Sequence, residues 1–279
     1  MATIKPSMSM DKILNYLKKY KNIKFKSGTY NLTAPLVVYS GCTVTCEDGV
    51  VFQRKSAGHM LEVDANSNLT GFNGTHDVKW TGGTFIASTL PDQYANVIVL
   101  YHSKNIEFRN MTVDGCQGLH SIECNSSKNV LIDNCTFKNQ TPKPDADFRE
   151  AIQIDFAGKT GLTWKGAPPT APCNDGTHCQ DIVITNCIFD NCPAGVGTHS
   201  LSKIEEYHER ITIENCVFTN IHKTGIKLLG MKDVVIKNCK VDRILLNKKK
   251  VGHELTGGKV PLDDYRYNIN VVIDNIEVL

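Results

Sequence analysis

Apolar and polar positions alternate along this chain in a nine-residue phrase that recurs seven times. The copies begin at Asp77, Asn105, Asn129, Asp181, Arg210, Asp233 and Asn270, and the third reads Asn129-Val-Leu-Ile-Asp-Asn-Cys-Thr-Phe137. Places two and four are apolar and place three is mixed, the period-two alternation of a strand with one face turned inward. Place six is Asn in six copies and Gly in the first, which marks a bend where a polar side chain can bond between coils. Place seven is Cys in four copies and place nine is Phe or Val, so a second short strand follows the bend. Self-similarity at a period of roughly 20–30 residues belongs to a solenoid, whose units bury their apolar edges against their neighbours. The pattern predicts an all-β, right-handed, single-stranded parallel β-helix running as a single domain over residues 1–279. Residues 9–20, with Ile13, Leu14 and Leu17 at helical spacing, predict a short N-terminal helix capping the open end of the solenoid.

The repeat also serves as a ruler. Counting back eleven residues from the bend predicts a further strand in each coil: Ile98–Tyr101, Ser121–Cys124, Ala151–Asp155, Val196–His199 and Ile226–Leu229. The outward places then read Val99/Tyr101, Ser121/Glu123, Gln153/Asp155, Gly197/His199 and Lys227/Leu229. Polar and ionisable residues gather on this one face. Four excursions depart from the ruler, over residues 138–149, 156–180, 201–208 and 242–268, and the first three leave the strands that carry Glu150, Gln153, Asp155 and His199. Long excursions inside a compact fold are usually functional, so they are expected to wall a cleft above that face.

Composition narrows the chemistry. The formal net charge is +2 with acids and bases interspersed, which lacks the basic stripe of a nucleic-acid protein. No segment approaches the ~18 apolar residues of a membrane span, and the N-terminus lacks a signal peptide's charged-then-apolar order. Four of the eleven cysteines occupy the same inward place of successive coils, where a thiol acts as a small hydrophobe. An unpaired ladder of this kind points to synthesis in a reducing cytoplasm. The run Cys173-Asn-Asp-Gly-Thr-His-Cys179 has zinc-ligand residue types but no second pair dedicated to it, and neither a metal nor a cofactor is expected.

The opening Ile23-Lys-Phe-Lys-Ser-Gly-Thr-Tyr-Asn-Leu32 resembles that of phage tail-spike depolymerases and polygalacturonase relatives, and the whole chain resembles the pectin-lyase-like superfamily of parallel β-helices. Arg149-Glu-Ala-Ile-Gln-Ile-Asp155 is similar in form to the Asn-Thr-Asp-Gly-Ile-Asp motif of the glycoside hydrolases that cleave polygalacturonate. On that alignment Glu150 stands for the first Asp and Gln153 for the second. Gly195-Val-Gly-Thr-His199 echoes their Gly-His-Gly motif, and Gly225-Ile-Lys227 echoes their Arg-Ile-Lys motif without the Arg. The resemblance implies action on a polysaccharide, at a bacterial surface or from a phage virion, and a homotrimer as in tail spikes.

Hydrolysis of a glycosidic bond takes two carboxyl groups, one protonating the leaving oxygen and one activating water or attacking. Glu150 and Asp155 are the expected acid–base pair, with Glu123 and His199 beside them. Gln153, Arg149, Lys227, Tyr101 and Trp164 are the expected substrate contacts, the cations suiting an acidic glycan and the aromatics a sugar ring. A lyase that draws its base from His199, Tyr101, Arg149 or Lys227 is the alternative chemistry, and a glycan-binding tail adhesin that cuts nothing is the alternative class.

Overall fold

The structure is a computed structural model. It describes residues 1–142, 149–158, 167–168, 170–198, 207–246, 254–255, 258–259 and 269–279. The expected excursions therefore lie partly outside the described residues, and His199 and Trp164 lie wholly outside them.

Each repeat phrase folds as two short parallel strands meeting at a corner, as in Lys128–Asp133 followed by Thr136–Lys138. Stacked coil on coil, these strands form a 17-stranded main sheet, and the strands counted back by the ruler form a separate eight-stranded front sheet. The inward rows are continuous. Val78, Ile106, Val130, Ile182, Ile211 and Val234 follow one another in register, each no more than 1% exposed. Phe85, Val113, Phe137, Phe189, Phe218 and Val241 fill the ninth place just as completely. Phe137, Phe189 and Phe218 stack with ring centroids 5.1 and 4.5 Å apart, an aromatic pile whose step matches the ~4.8 Å spacing of neighbouring strands. Cys135, Cys187, Cys216 and Cys239 lie buried and free along the same face, as the phrase implies.

The corners explain why the phrase is nine residues long. Asn110, Asn134, Asn186, Asn215, Asn238 and Asn275, the sixth-place residues, all adopt positive φ of 49–55°, and Gly82 replaces them in the first copy at 83°. The first place does the same, with Asp77, Asn105, Asn129, Asp181, Arg210, Asp233 and Asn270 at 52–58°. A third corner, five residues further on, is held by Asn139, Asn191 and Asn220. Left-handed backbone costs most L-residues roughly 1–2 kcal/mol, and Asn and Asp tolerate it because their short polar side chains bond locally. Those side chains also bond to the next coil. Asn129 Nδ2 donates to Asn105 Oδ1 at 2.8 Å, Asn134 to Asn110 at 2.8 Å and Asn275 to Asn238 at 2.7 Å. From the sequence only the sixth place is read as a corner, although the first place carries the same signal, Asn or Asp in six of its seven copies.

The N-terminal helix runs over Met10–Lys19, with Ile13 and Leu17 buried, Leu14 packed against the core, and Asp11 and Lys18/Lys19 at the ends the helix dipole favours. It lies between the strands Ala2–Ile4 and Asn22–Phe25, which pair with each other in parallel. The last strand, Ile269–Val278, pairs with Met231–Val241 and leaves Val272 and Ile273 exposed.

Arg210 is the one corner residue of its row that is neither Asn nor Asp. Its guanidinium grips Asp181 (Nε–Oδ1 2.5 Å, Nη2–Oδ2 3.2 Å) and holds that carboxyl below the ordinary carboxylate range. Asn at this place can donate to Asp181 as Asn105 does to Asp77. Arg210→Asn should therefore raise stability by about 1 kcal/mol, since relief of left-handed strain exceeds a surface ion pair's contribution. Urea unfolding checks this, and a lower midpoint would refute the account of the corners.

Candidate functional site

The front sheet turns Ile98, Leu100, Ile122, Cys124, Ile152, Ile154, Val196, Ile226 and Leu228 to the core. Its outer face carries one row in register, Glu62–Val99–Glu123–Gln153–Gly197–Lys227. A second row, Tyr101–Asn125–Asp155, runs beside it. Eleven residues back from Asn110 and Asn134 lie Val99 and Glu123, and the register pairs them as the ruler implies; the strand runs on one residue further, to Asn125, which comes against Tyr101.

Glu123 and Asp155 are held by amides. Glu123 Oε2 accepts from Asn96 Nδ2 and Oε1 from Asn125 Nδ2 at 2.9 Å, while Asn96 Oδ1 accepts the His120 N–H at 2.9 Å. Asp155 Oδ1 accepts the Phe156 N–H at 2.8 Å, and Oδ2 accepts from Gln153 Nε2 at 3.2 Å. Asn96 and Asn125 were not singled out from the sequence. The signal available for Asn125 was its place two residues after Glu123 on the same alternating face.

Glu150 sits differently. It begins the strand Glu150–Asp155, so its Cα and that of Asp155 are separated by about 17 Å of strand rise. Its side chain lies over Gly197, where an added Cβ would stand 2.8 Å from Glu150 Cγ and 3.0 Å from the Lys227 carbonyl oxygen. Glycine inside a strand commonly marks such a close approach. The Glu150 side chain is fully enclosed and neither oxygen has a hydrogen-bond partner among the described residues. Lys227 Nζ stands 3.8 Å from Oε1 and His120 Nδ1 3.8 Å from Oε2, and His120 Nδ1 donates to the Glu150 carbonyl at 2.7 Å. Lys227, with 23% of its side chain exposed, is where this group meets the surface. Arg149 is half-buried beside it, and its carbonyl accepts from Gln140 Nε2.

The face was expected to be the open floor of a cleft, and here the structure differs. Tyr101, Glu123, Gln153 and Asp155 are each no more than 2% exposed. Several described contacts knit chain across that end of the sheet. Tyr101 Oη donates to the Cys173 carbonyl at 3.4 Å. His102 sets Nδ1 2.6 Å from the Gly71 carbonyl and Nε2 2.8 Å from the Cys173 carbonyl. Carbonyl oxygens only accept, so both contacts are hydrogen bonds when the ring carries both protons. The Ala157 N–H donates to Ser126 Oγ, the Gly176 N–H to the Ala157 carbonyl and the Gly71 N–H to Asp175 Oδ2. His178 stacks on Phe156 at 4.6 Å and faces His208 at 4.8 Å. The structure thus brings Glu123, Glu150, Gln153, Asp155, Tyr101 and Lys227 to one stretch of the face, and closes most of it. Among the described residues no group of three or more His, Cys, Asp or Glu side chains is arranged to hold a metal ion, and no helix is long and apolar enough to cross a membrane.

A family model described as a right-handed β-helix region matches residues 26–241. The chain belongs to that family. It is 30% identical over 217 residues to plasmin and fibronectin-binding protein A of Streptococcus pneumoniae, a match covering 69% of this chain and 29% of that protein. The crystal structure of PfbA, a surface adhesin of Streptococcus pneumoniae, superposes with a TM-score of 0.71 at 21% identity, over 96% of this chain and 66% of that one. An iota-carrageenase from A. fortis superposes at 0.58 with 13% identity, over 99% of this chain and 68% of the enzyme's. The β-helix scaffold is therefore shared with glycoside hydrolases and with adhesins, and a shared scaffold does not choose between them.

Gly197→Ala should lower stability by about 2–4 kcal/mol, as overpacking in a filled site does. Glu150→Ala in the same chain should recover part of that loss, because one of the two clashes is with Glu150 and the other with backbone. A double-mutant cycle by chemical denaturation reads the coupling, and strict additivity would mean Glu150 does not lie over Gly197.

Proposed function

We propose that this chain is the ligand-binding β-helix of a bacterial surface adhesin, engaging its macromolecular ligand through exposed surface and not by cutting a glycan. The supporting observation is the closure of the front-sheet face: the carboxyls a depolymerase needs are buried, and those of Glu123 and Asp155 are occupied by amide donors. A general acid or base has to come within hydrogen-bond reach of the substrate. The likeness to a protein named for binding plasmin and fibronectin supports a host protein as the ligand and a bacterial surface, not a phage tail, as the setting.

The second reading is hydrolysis, favoured by one feature. Glu123 and Asp155 are diagonal neighbours on adjacent coils. Strand spacing and two residue rises put their Cβ atoms roughly 8 Å apart, a placement from which their carboxyl groups can span the ~6.5–9.5 Å of an inverting pair. Glu150, enclosed at the far end of the same strand, would lie outside that pair, and His199, Arg149, Trp164, Gln153, Tyr101 and Lys227 would keep their expected supporting roles.

The experiment sets binding against turnover. Immobilised chain is expected to retain plasmin or fibronectin, and to release neither new reducing ends nor unsaturated uronates from a panel of acidic polysaccharides. Reducing ends that appear with the wild-type chain and fall about a hundredfold or more in Glu123→Gln or Asp155→Asn, with unfolding unchanged, would replace the adhesin reading by the hydrolase one.

A further inference from the structure

All eleven cysteines are free and buried, and they are not equivalent. Cys135, Cys187, Cys216 and Cys239 stack in register on successive coils, so their Cβ atoms project side by side from strands ~4.8 Å apart, beyond the ~3.5–4.5 Å that a disulfide requires. Each thiol lies near the carbonyl two residues before it, at 3.4, 3.2, 3.2 and 3.3 Å in that order, and beside the thiols of the neighbouring coils. Cys124 and Cys179 come from different walls. Cys124 lies in the front-sheet strand Ile122–Asn125, and Cys179 directly precedes the main-sheet strand Gln180–Thr185. They meet at the corner between the two sheets, on adjacent coils, with Sγ atoms 4.0 Å apart.

We propose that Cys124 and Cys179 are a site of reversible disulfide formation, which staples the chain returning to the main sheet onto the preceding coil. Cys173 is six residues from Cys179 in sequence, but its N–H is bonded to the Ser67 carbonyl, and the thiol that meets Cys179 is that of Cys124. The staple bears on the closed face, because Cys179 Sγ also lies 3.2 Å from the Asp155 carbonyl and 3.3 Å from the Cys124 carbonyl, and accepts the Ser127 N–H at 3.3 Å.

The oxidant is a small-molecule disulfide. One cysteine thiolate attacks it, forming a mixed disulfide and expelling one small thiolate. The second cysteine thiolate then attacks the protein sulfur of that mixed disulfide, forming the Cys124–Cys179 bond and expelling the second small thiolate. The cysteines lose two electrons and two protons, and the reagent becomes two thiols. Burial pushes the Cys179 thiol up, so the bond forms when local opening admits reagent, and slowly compared with an exposed pair. The assignment is independent of whether the protein binds or cuts its ligand.

The test is a thiol count on the full chain, incubated with oxidised glutathione in urea below the unfolding midpoint, then alkylated after denaturation and weighed intact. The count should fall from eleven to nine, peptide mapping should return a single Cys124–Cys179 cross-link, and dithiothreitol should restore eleven. Cys124→Ser and Cys179→Ser should each give no intrachain cross-link, the lone partner stopping at the mixed disulfide, read as one added glutathione in the intact mass. A count that stays at eleven in wild type, or a cross-link within the Cys135–Cys239 ladder, would overturn the assignment. The wild-type map decides this even if a serine variant fails to fold.

Discussion

The fold depends on backbone that turns left-handed at fixed intervals. Each coil spends two and in places three residues at positive φ, five positions apart, and between them only strand is possible. Because every corner has the same spacing, successive coils superpose, and only superposed coils can align apolar side chains into rows. The stacked phenylalanines and the thiol ladder are therefore consequences of the corners as much as of hydrophobicity. Asn fills most corners because it answers two demands at once: it tolerates the conformation, and its amide reaches the corner one coil away. Where a coil departs from the pattern, as between Asn238 and Asn275, the corner bond is kept at 2.7 Å across a 37-residue separation. The excursion is absorbed elsewhere in the coil.

The front sheet shows what happens where polar residues replace that regular surface. A carboxylate moved away from water without compensation is costly, and here Glu123 and Asp155 are each compensated by two donors on neighbouring residues or coils. Glu150 is compensated at longer range by the charge of Lys227, with the His120 ring standing at the same distance on its other side. Such a network is best read as holding chain against the sheet, with Lys227 and Arg149 as the parts left near solvent.

The architecture was legible in the sequence because it is a local rule repeated. Alternation gave the strands, the sixth-place Asn gave a corner, and Ile13, Leu14 and Leu17 gave the capping helix at nearly its observed bounds. The inward direction of Val130, Ile132, Cys135 and Phe137 and the free thiol ladder followed from the same nine places. Val99, Tyr101, Glu123, Gln153, Asp155, Gly197 and Lys227 were legible as one face too, since alternation separates its two sides, whereas Asn125 was missed.

What only the tertiary structure decided were quantities that no local rule contains. The front-sheet strand ran on to Asn125, one residue past the stretch counted back from the bend, and so brought that amide against Tyr101 and within reach of Glu123. Closure of the face depended on contacts over long sequence separations, such as His102 with Gly71 and Cys173. The room for Glu150 came from Gly197 on the next coil, and the partner of Cys179 came from 55 residues away. A sequence specifies which side of a strand a residue takes through its nearest neighbours, but what that side chain meets is set by which coils are stacked together.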